Sequence, residues 1–126
     1  MQSNIFAKVA PLLEGTKFKA KSPQLEKFFC YYQTGEFIYP AVMHRKIGLD
    51  ISSVYELLEE CVRQDILEPV LEIYCPFCQR FIGKRYKTIY DVPEEVCCIH
   101  CDQIINLPLG HAIVIYRVLQ RCTKGT

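Results

Sequence analysis

Between residues 22 and 64 the apolar positions fall at helical spacing. Leu25, Phe28, Phe29 and Tyr32 stand at i, i+3, i+4 and i+7, which places them on one face of a helix. Ser22-Pro23 supplies a capping hydroxyl and a proline for the first helical position, and Gly35 is expected to end the helix. A second short helix fits residues 40–47. Ala41, Val42 and Ile47 are available for its core, His44, Arg45 and Lys46 point outward, and Gly48 stops it. Asp50 is a good N-cap for a third helix running to about Gln64. Its stripe of Ile51, Val54, Leu57, Leu58, Cys61 and Val62 is the clearest periodicity in the chain. From Ile66 the pattern changes to Ile-Leu-Glu-Pro-Val-Leu-Glu-Ile-Tyr, apolar and β-branched, and Pro69 forbids a helix there. It reads as strand, turn, strand. Residues 1–21 show no sustained period and read as an irregular or short-helical lead-in, and residues 120–126 as a tail.

The short Gly48-Leu49-Asp50 link between two helices has the spacing of a helix-turn-helix. Helix, helix, turn, helix and then a β segment is the order of a winged helix, and residues 22–74 resemble that family in pattern. Residues 54–69 look like the third helix and first wing strand of such a domain. A generic three-helix bundle is the plainer reading of the same apolar stripes.

The strongest chemical signal follows directly. Cys75-Pro76-Phe77-Cys78 and Cys98-Ile99-His100-Cys101 are two Cys-x-x-Cys turns separated by 19 residues. Each turn sets two sulfurs side by side with backbone amides aimed at them, and two turns complete a tetrahedron around one zinc ion. Four thiolates leave no coordination position open, so such a site is structural. Residues 79–90 read as a hairpin turning at Gly83. Ile104-Ile105 and residues 111–119 supply more β-branched residues, with a final strand expected to close the small sheet. Residues 75–119 therefore resemble a zinc ribbon. Two departures qualify the match. Gln79 and Asp102 hold places where ribbon knuckles often carry Gly, and Cys97 or His100 stands close enough in sequence to substitute as a ligand. Cys30, Cys61 and Cys122 lie outside any pairing motif and read as packed or free thiols.

Composition narrows the function classes. The 126 residues are half hydrophobic and 23% charged, which is the balance of a folded chain and not of a disordered tail. No apolar run approaches the roughly 20 residues needed to span a bilayer, and the N-terminus lacks the pattern of an export signal, so the expectation is a soluble, cytoplasmic protein with no membrane partner. In that setting eight cysteines favour metal over a disulfide framework. No phosphate-binding glycine loop, nucleophile elbow or redox Cys-x-x-Cys in a βαβ setting is present, so neither an enzyme nor a small-molecule substrate is expected.

The net charge is +1, yet charge is segregated: −6 over residues 50–74 and +4 over residues 75–89. The third helix carries Glu56, Glu59 and Glu60 on its polar face, which would repel DNA phosphates and suits a protein partner instead. Arg80, Lys84, Arg85 and Lys87 with Tyr86 form the opposite case, a basic and aromatic stretch suited to DNA or RNA. The expected fold class is α+β, with a winged helix over 22–74 and an antiparallel zinc ribbon over 75–119. That organisation resembles general transcription factors and small accessory subunits. The function expected from it is a zinc-binding adaptor or subunit of a larger protein complex, with a DNA-binding transcriptional regulator as the alternative.

Overall fold

The computed structural model describes residues 18–119, so the lead-in up to residue 17 and the tail from residue 120 lie outside the described residues. The class is α+β, with three α-helices and antiparallel strand pairs among the described residues. Among the described residues no helix is long and apolar enough to cross a membrane. The described residues divide into two compact units: residues 18–68 with 116–119, and residues 69–115.

In the first unit a 3-10 turn over Lys19–Lys21 leads into α1 (Ser22–Tyr31), with Pro23 in its first turn. Leu25, Phe28 and Phe29 are buried as their spacing requires. The helix ends at Tyr31, earlier than the expected stop. Gly35, at φ 92°, serves instead the turn that leads into β1 (Phe37–Ile38). This two-residue strand gives no periodic signal and was not expected.

Helix α2 (Pro40–Ile47) ends as expected at Gly48, whose left-handed backbone (φ 86°) lets its N–H donate to the His44 carbonyl. Its buried side chains are Pro40, Met43 and Ile47, while Ala41 is exposed, so the core face is rotated from the one expected. Helix α3 (Ile51–Arg63) opens on Asp50, which accepts from the Ser53 amide and from the hydroxyls of Ser52 and Ser53. These hydrogen bonds hold the Asp50 carboxyl well below the usual carboxylate range. The helix closes with Asp65 in the left-handed region. There the Ile66 amide donates to the Cys61 carbonyl and the Asp65 amide to the Val62 carbonyl, a Schellman closure built without glycine. Val54, Leu57, Leu58 and Cys61 form the buried stripe.

The segment expected to be strand, turn, strand is one uninterrupted strand, β2 (Leu67–Tyr74), passing straight through Pro69. Proline removes one ladder donor but suits extended φ, so it excludes the helix without forcing a turn. The final strand, β6 (Ala112–Val118), lies where it was expected. Within the first unit its end stands between β1 and the start of β2. Phe37 pairs with Arg117 and Ile38 with Tyr116, and the Leu119 amide donates to the Ile66 carbonyl.

In the second unit β2 pairs antiparallel with β3 (Phe81–Tyr86), Leu71 facing Tyr86 and Tyr74 facing Phe81. The hairpin expected within residues 79–90 is therefore absent. Gly83 lies inside β3, where the register shifts, and the true turn of the hairpin is the first Cys-x-x-Cys segment. Two constraints make glycine fit position 83. Its φ is 96°, and a Cβ there would stand 2.9 Å from Ile99 Cδ1. Strands β4 (Glu95–Cys97) and β5 (Ile104–Asn106) form a separate pair around the second Cys-x-x-Cys segment, with Val96 opposite Ile105. Leu71, Ile73, Ile82, Tyr86 and Ile105 make the core of this unit, and Cys75 and Cys98 are part of it.

Candidate metal centre

The two Cys-x-x-Cys segments fold alike, residue for residue. The Phe77 amide donates to Cys75 Sγ and the His100 amide to Cys98 Sγ, both at 3.4 Å. The Gln79 amide returns to the Cys75 carbonyl at 2.8 Å and the Asp102 amide to the Cys98 carbonyl at 2.9 Å. The Cys75 amide donates to the Arg80 carbonyl, and the Cys98 amide to the Gln103 carbonyl. Gln79 (φ 63°) and Asp102 (φ 61°) take up the left-handed backbone that glycine adopts more easily. Gln79 and Asp102 in the places of glycine thus carry a modest backbone cost and leave the knuckle geometry unchanged.

The hairpins bring Cys75, Cys78, Cys98 and Cys101 together, with all four sulfurs within 4.8 Å of one another. Cys75 Sγ lies 3.6 Å from Cys101 Sγ, and Cys78 Sγ lies 3.6 Å from Cys98 Sγ. A tetrahedral ion with metal–sulfur bonds near ~2.3 Å requires edges of about 3.8 Å. The cluster therefore fits a metal ion. Its four soft sulfur donors suit zinc or an iron centre and exclude the oxygen-seeking calcium and magnesium.

Electrostatics points the same way. Desolvation pushes the Cys75 thiol up, but the amides of Cys78 and Phe77 and the neighbouring thiols outweigh it and bring Cys75 to about 7. At Cys101 the Gln103 amide acts to lower the pKa, yet desolvation and the three neighbouring sulfurs push it up to about 12. Desolvation also raises Cys78. Four thiolates this close oppose one another's ionisation, and a bound cation removes that opposition.

Geometry separates the four clustered cysteines from their sequence neighbours. Cys97 is exposed, its thiol directed at the Cys98 carbonyl. His100 Nε2 lies 3.1 Å from the Phe81 carbonyl oxygen. Neither belongs to the cluster. Cys61 is a buried free thiol pushed up to about 12 by desolvation, as a packed cysteine should be. Cys30, by contrast, is disulfide-bonded and is not the packed or free thiol expected; Cys122 lies outside the described residues.

The basic stretch is less available than its composition implies. Arg85 Nε donates to Glu72 at 2.9 Å, and its guanidinium stacks over the Phe81 ring at 4.8 Å. Glu72 is fully buried and also accepts from the Tyr74 hydroxyl. Tyr86 belongs to the core, with Lys84 Nζ 5.4 Å from its ring centroid, so it offers no open face for a base. Arg80, Lys84 and Lys87 are exposed.

The acidic face of α3 is likewise divided. Glu60 is held by Arg63 and Gln64, and Glu59 accepts from the hydroxyl of buried Tyr116 at 2.6 Å. Glu56 is exposed. The sequence reading missed the Glu59–Tyr116 and Glu72–Arg85 bonds because each joins residues from different elements. It also missed a groove of about 380 Å³ lined by residues of α1 and α2, because its two walls come from different elements. Comparison with known proteins finds no family model, no curated protein and no solved structure that matches the chain.

Proposed function

We propose that the chain is a non-enzymatic adaptor or subunit of a larger protein assembly, stabilised by one structural zinc ion on Cys75, Cys78, Cys98 and Cys101. The observation that carries this reading is the four-sulfur cluster on two equivalent knuckles. Zinc is the reading of choice because a closed set of four cysteines is its commonest structural site, and a closed set does no chemistry on a substrate. The exposed side chains of Phe77, Tyr90, Ile99, Ile104 and Leu107 support a partner surface, since large apolar groups left in water are characteristic of association sites.

The winged-helix reading of the first unit draws support from its connectivity. The order α1, β1, α2, α3, β2, β6, with β6 between β1 and β2, is that of a winged helix whose two wing strands are β2 and β6. Residues 69–115 interrupt that unit in sequence, so on this reading the second unit is inserted between the two wing strands and does not follow the domain in tandem. The acidic face of α3 then meets a basic partner protein through Glu56 and Glu60. This face opposes the alternative of a DNA-reading third helix.

Glu59 must be kept out of the test. Its replacement by Ala strands the buried Tyr116 hydroxyl and is expected to cost about 1–3 kcal/mol of stability. Chemical denaturation should register that loss, with Tyr116→Phe in the same background restoring part of it. The function is tested with Glu56→Lys combined with Glu60→Lys. Recovery of native partners from the host should fall most at low salt, with zinc content unchanged. Undiminished recovery, together with tight binding of the unaltered protein to a specific duplex protected at α3, would replace the adaptor with a DNA-binding regulator.

A further inference from the structure

The first unit carries a second recognition feature, distinct from the acidic face of α3. A groove of about 380 Å³ is lined by Gln24, Lys27, Phe28 and Tyr31 of α1 and by Lys46 and Ile47 of α2. Phe28 and Ile47 are almost wholly buried and form an apolar floor, whereas Lys27 and Lys46 are exposed at its rim. Lys46 Nζ lies 5.8 Å from the centroid of the Tyr31 ring, and Tyr31 is 76% exposed. Among the described residues no acidic side chain lines the groove; Glu26 belongs to a smaller adjoining cavity with Pro23, Lys27, Cys30 and Tyr31.

We propose that this groove binds an acidic peptide segment of a partner protein, seating one large apolar side chain on Phe28 and Ile47 and placing flanking carboxylates against Lys27 and Lys46. The volume lies within the roughly 300–1,000 Å³ range of ligand sites, and an apolar floor with cationic ends is the complement of an apolar anchor flanked by acids. Nucleic acid fits less well. A backbone track needs a line of cations and open aromatic faces, but here the exposed ring already bears Lys46, and Phe28 is recessed and packed edge-on against Phe29. The groove requires neither the ribbon nor its metal, so the proposal goes beyond the adaptor reading and can fail independently of it.

The test is a titration of the isotope-labelled, zinc-loaded full chain followed by amide NMR. The probe is the peptide Glu-Asp-Leu-Phe-Glu-Asp with blocked termini. The controls are the same peptide with both apolar residues replaced by Ser, the same peptide with all four acids replaced by Lys, and a 12-nucleotide oligo-dT. The expected result is a saturable shift of the Phe28, Tyr31 and Ile47 amides with the acidic apolar peptide, and much weaker shifts with both altered peptides. Lys27→Glu with Lys46→Glu should weaken binding by about tenfold while leaving the remaining spectrum and zinc content intact, since both side chains are exposed. Lys27→Gln with Lys46→Gln should fall between. The proposal is overturned if the probe produces no shift at millimolar concentration, if its shifts map elsewhere, if the charge-reversed chain binds it equally well, or if oligo-dT binds the groove more tightly than the peptide.

Discussion

Protein carrying Cys75→Ser together with Cys98→Ser is expected to purify without zinc and with residues 69–115 unfolded. Each knuckle loses its buried sulfur, the one that accepts the amide of Phe77 or His100, and the remaining pair cannot complete a tetrahedron. Structural zinc contributes on the order of 10–16 kcal/mol of apparent binding energy in small peptides at neutral pH. The second unit has little to set against that loss, because Cys75 and Cys98 are themselves part of its small core. The helical signal of the first unit should survive, since Leu25, Phe29, Met43, Leu57 and Leu58 bury their side chains there. Elemental analysis and amide NMR check both halves of the expectation, with Cys97→Ser as the variant that keeps its metal. One zinc per chain in the double variant would show that the ligands are other residues.

The second large effect is expected from Arg85→Ala. Glu72 is fully buried, and Arg85 supplies a guanidinium hydrogen bond at 2.9 Å beside the one from the Tyr74 hydroxyl. Breaking a buried ion pair on one side typically costs about 3–5 kcal/mol, because the remaining charge stays buried with less to compensate it. Arg85 is itself 37% exposed, which places the expected loss toward the lower end, about 3 kcal/mol. Arg85→Ala with Glu72→Gln should recover part of the loss, since the buried charge is then gone. Denaturation of the zinc-loaded proteins, followed by a probe in the second unit, measures both. A change below about 0.5 kcal/mol, the size of an ordinary surface substitution, would remove the pair as a stabilising element. The same bond bears on nucleic-acid binding, because an arginine committed to a buried carboxylate is not free to neutralise a phosphate.

Much of the helical architecture was legible because its determinants are local. Pro40 and Gly48 bound α2, Asp50 opens α3, and the spacing of Val54, Leu57, Leu58 and Cys61 fixes the buried face of that helix. Where the local signal was weak the reading slipped. In α2 a stretch of eight residues admitted more than one core face, and packing selected Met43 over Ala41. Gly83 was read as a turn because glycine commonly makes one. Its real constraint is its own backbone, held at φ 96° inside β3 where any side chain would be strained, with the Ile99 side chain close by as a lesser one.

The sequence by itself determined the four-cysteine cluster, because the Cys-x-x-Cys spacing sets each sulfur pair through backbone geometry that needs only a few consecutive residues. It determined the three helices for the same reason. Only the tertiary structure decided that Cys97 and His100 stand apart from the cluster, that Glu59 serves Tyr116, and that Arg85 serves Glu72. It also decided which residues interrupt which unit, since β6 joins β1 from the far end of the chain. Side-chain pairing and strand order depend on what long-range folding brings into contact, and a one-dimensional pattern of apolar and polar positions does not specify that choice.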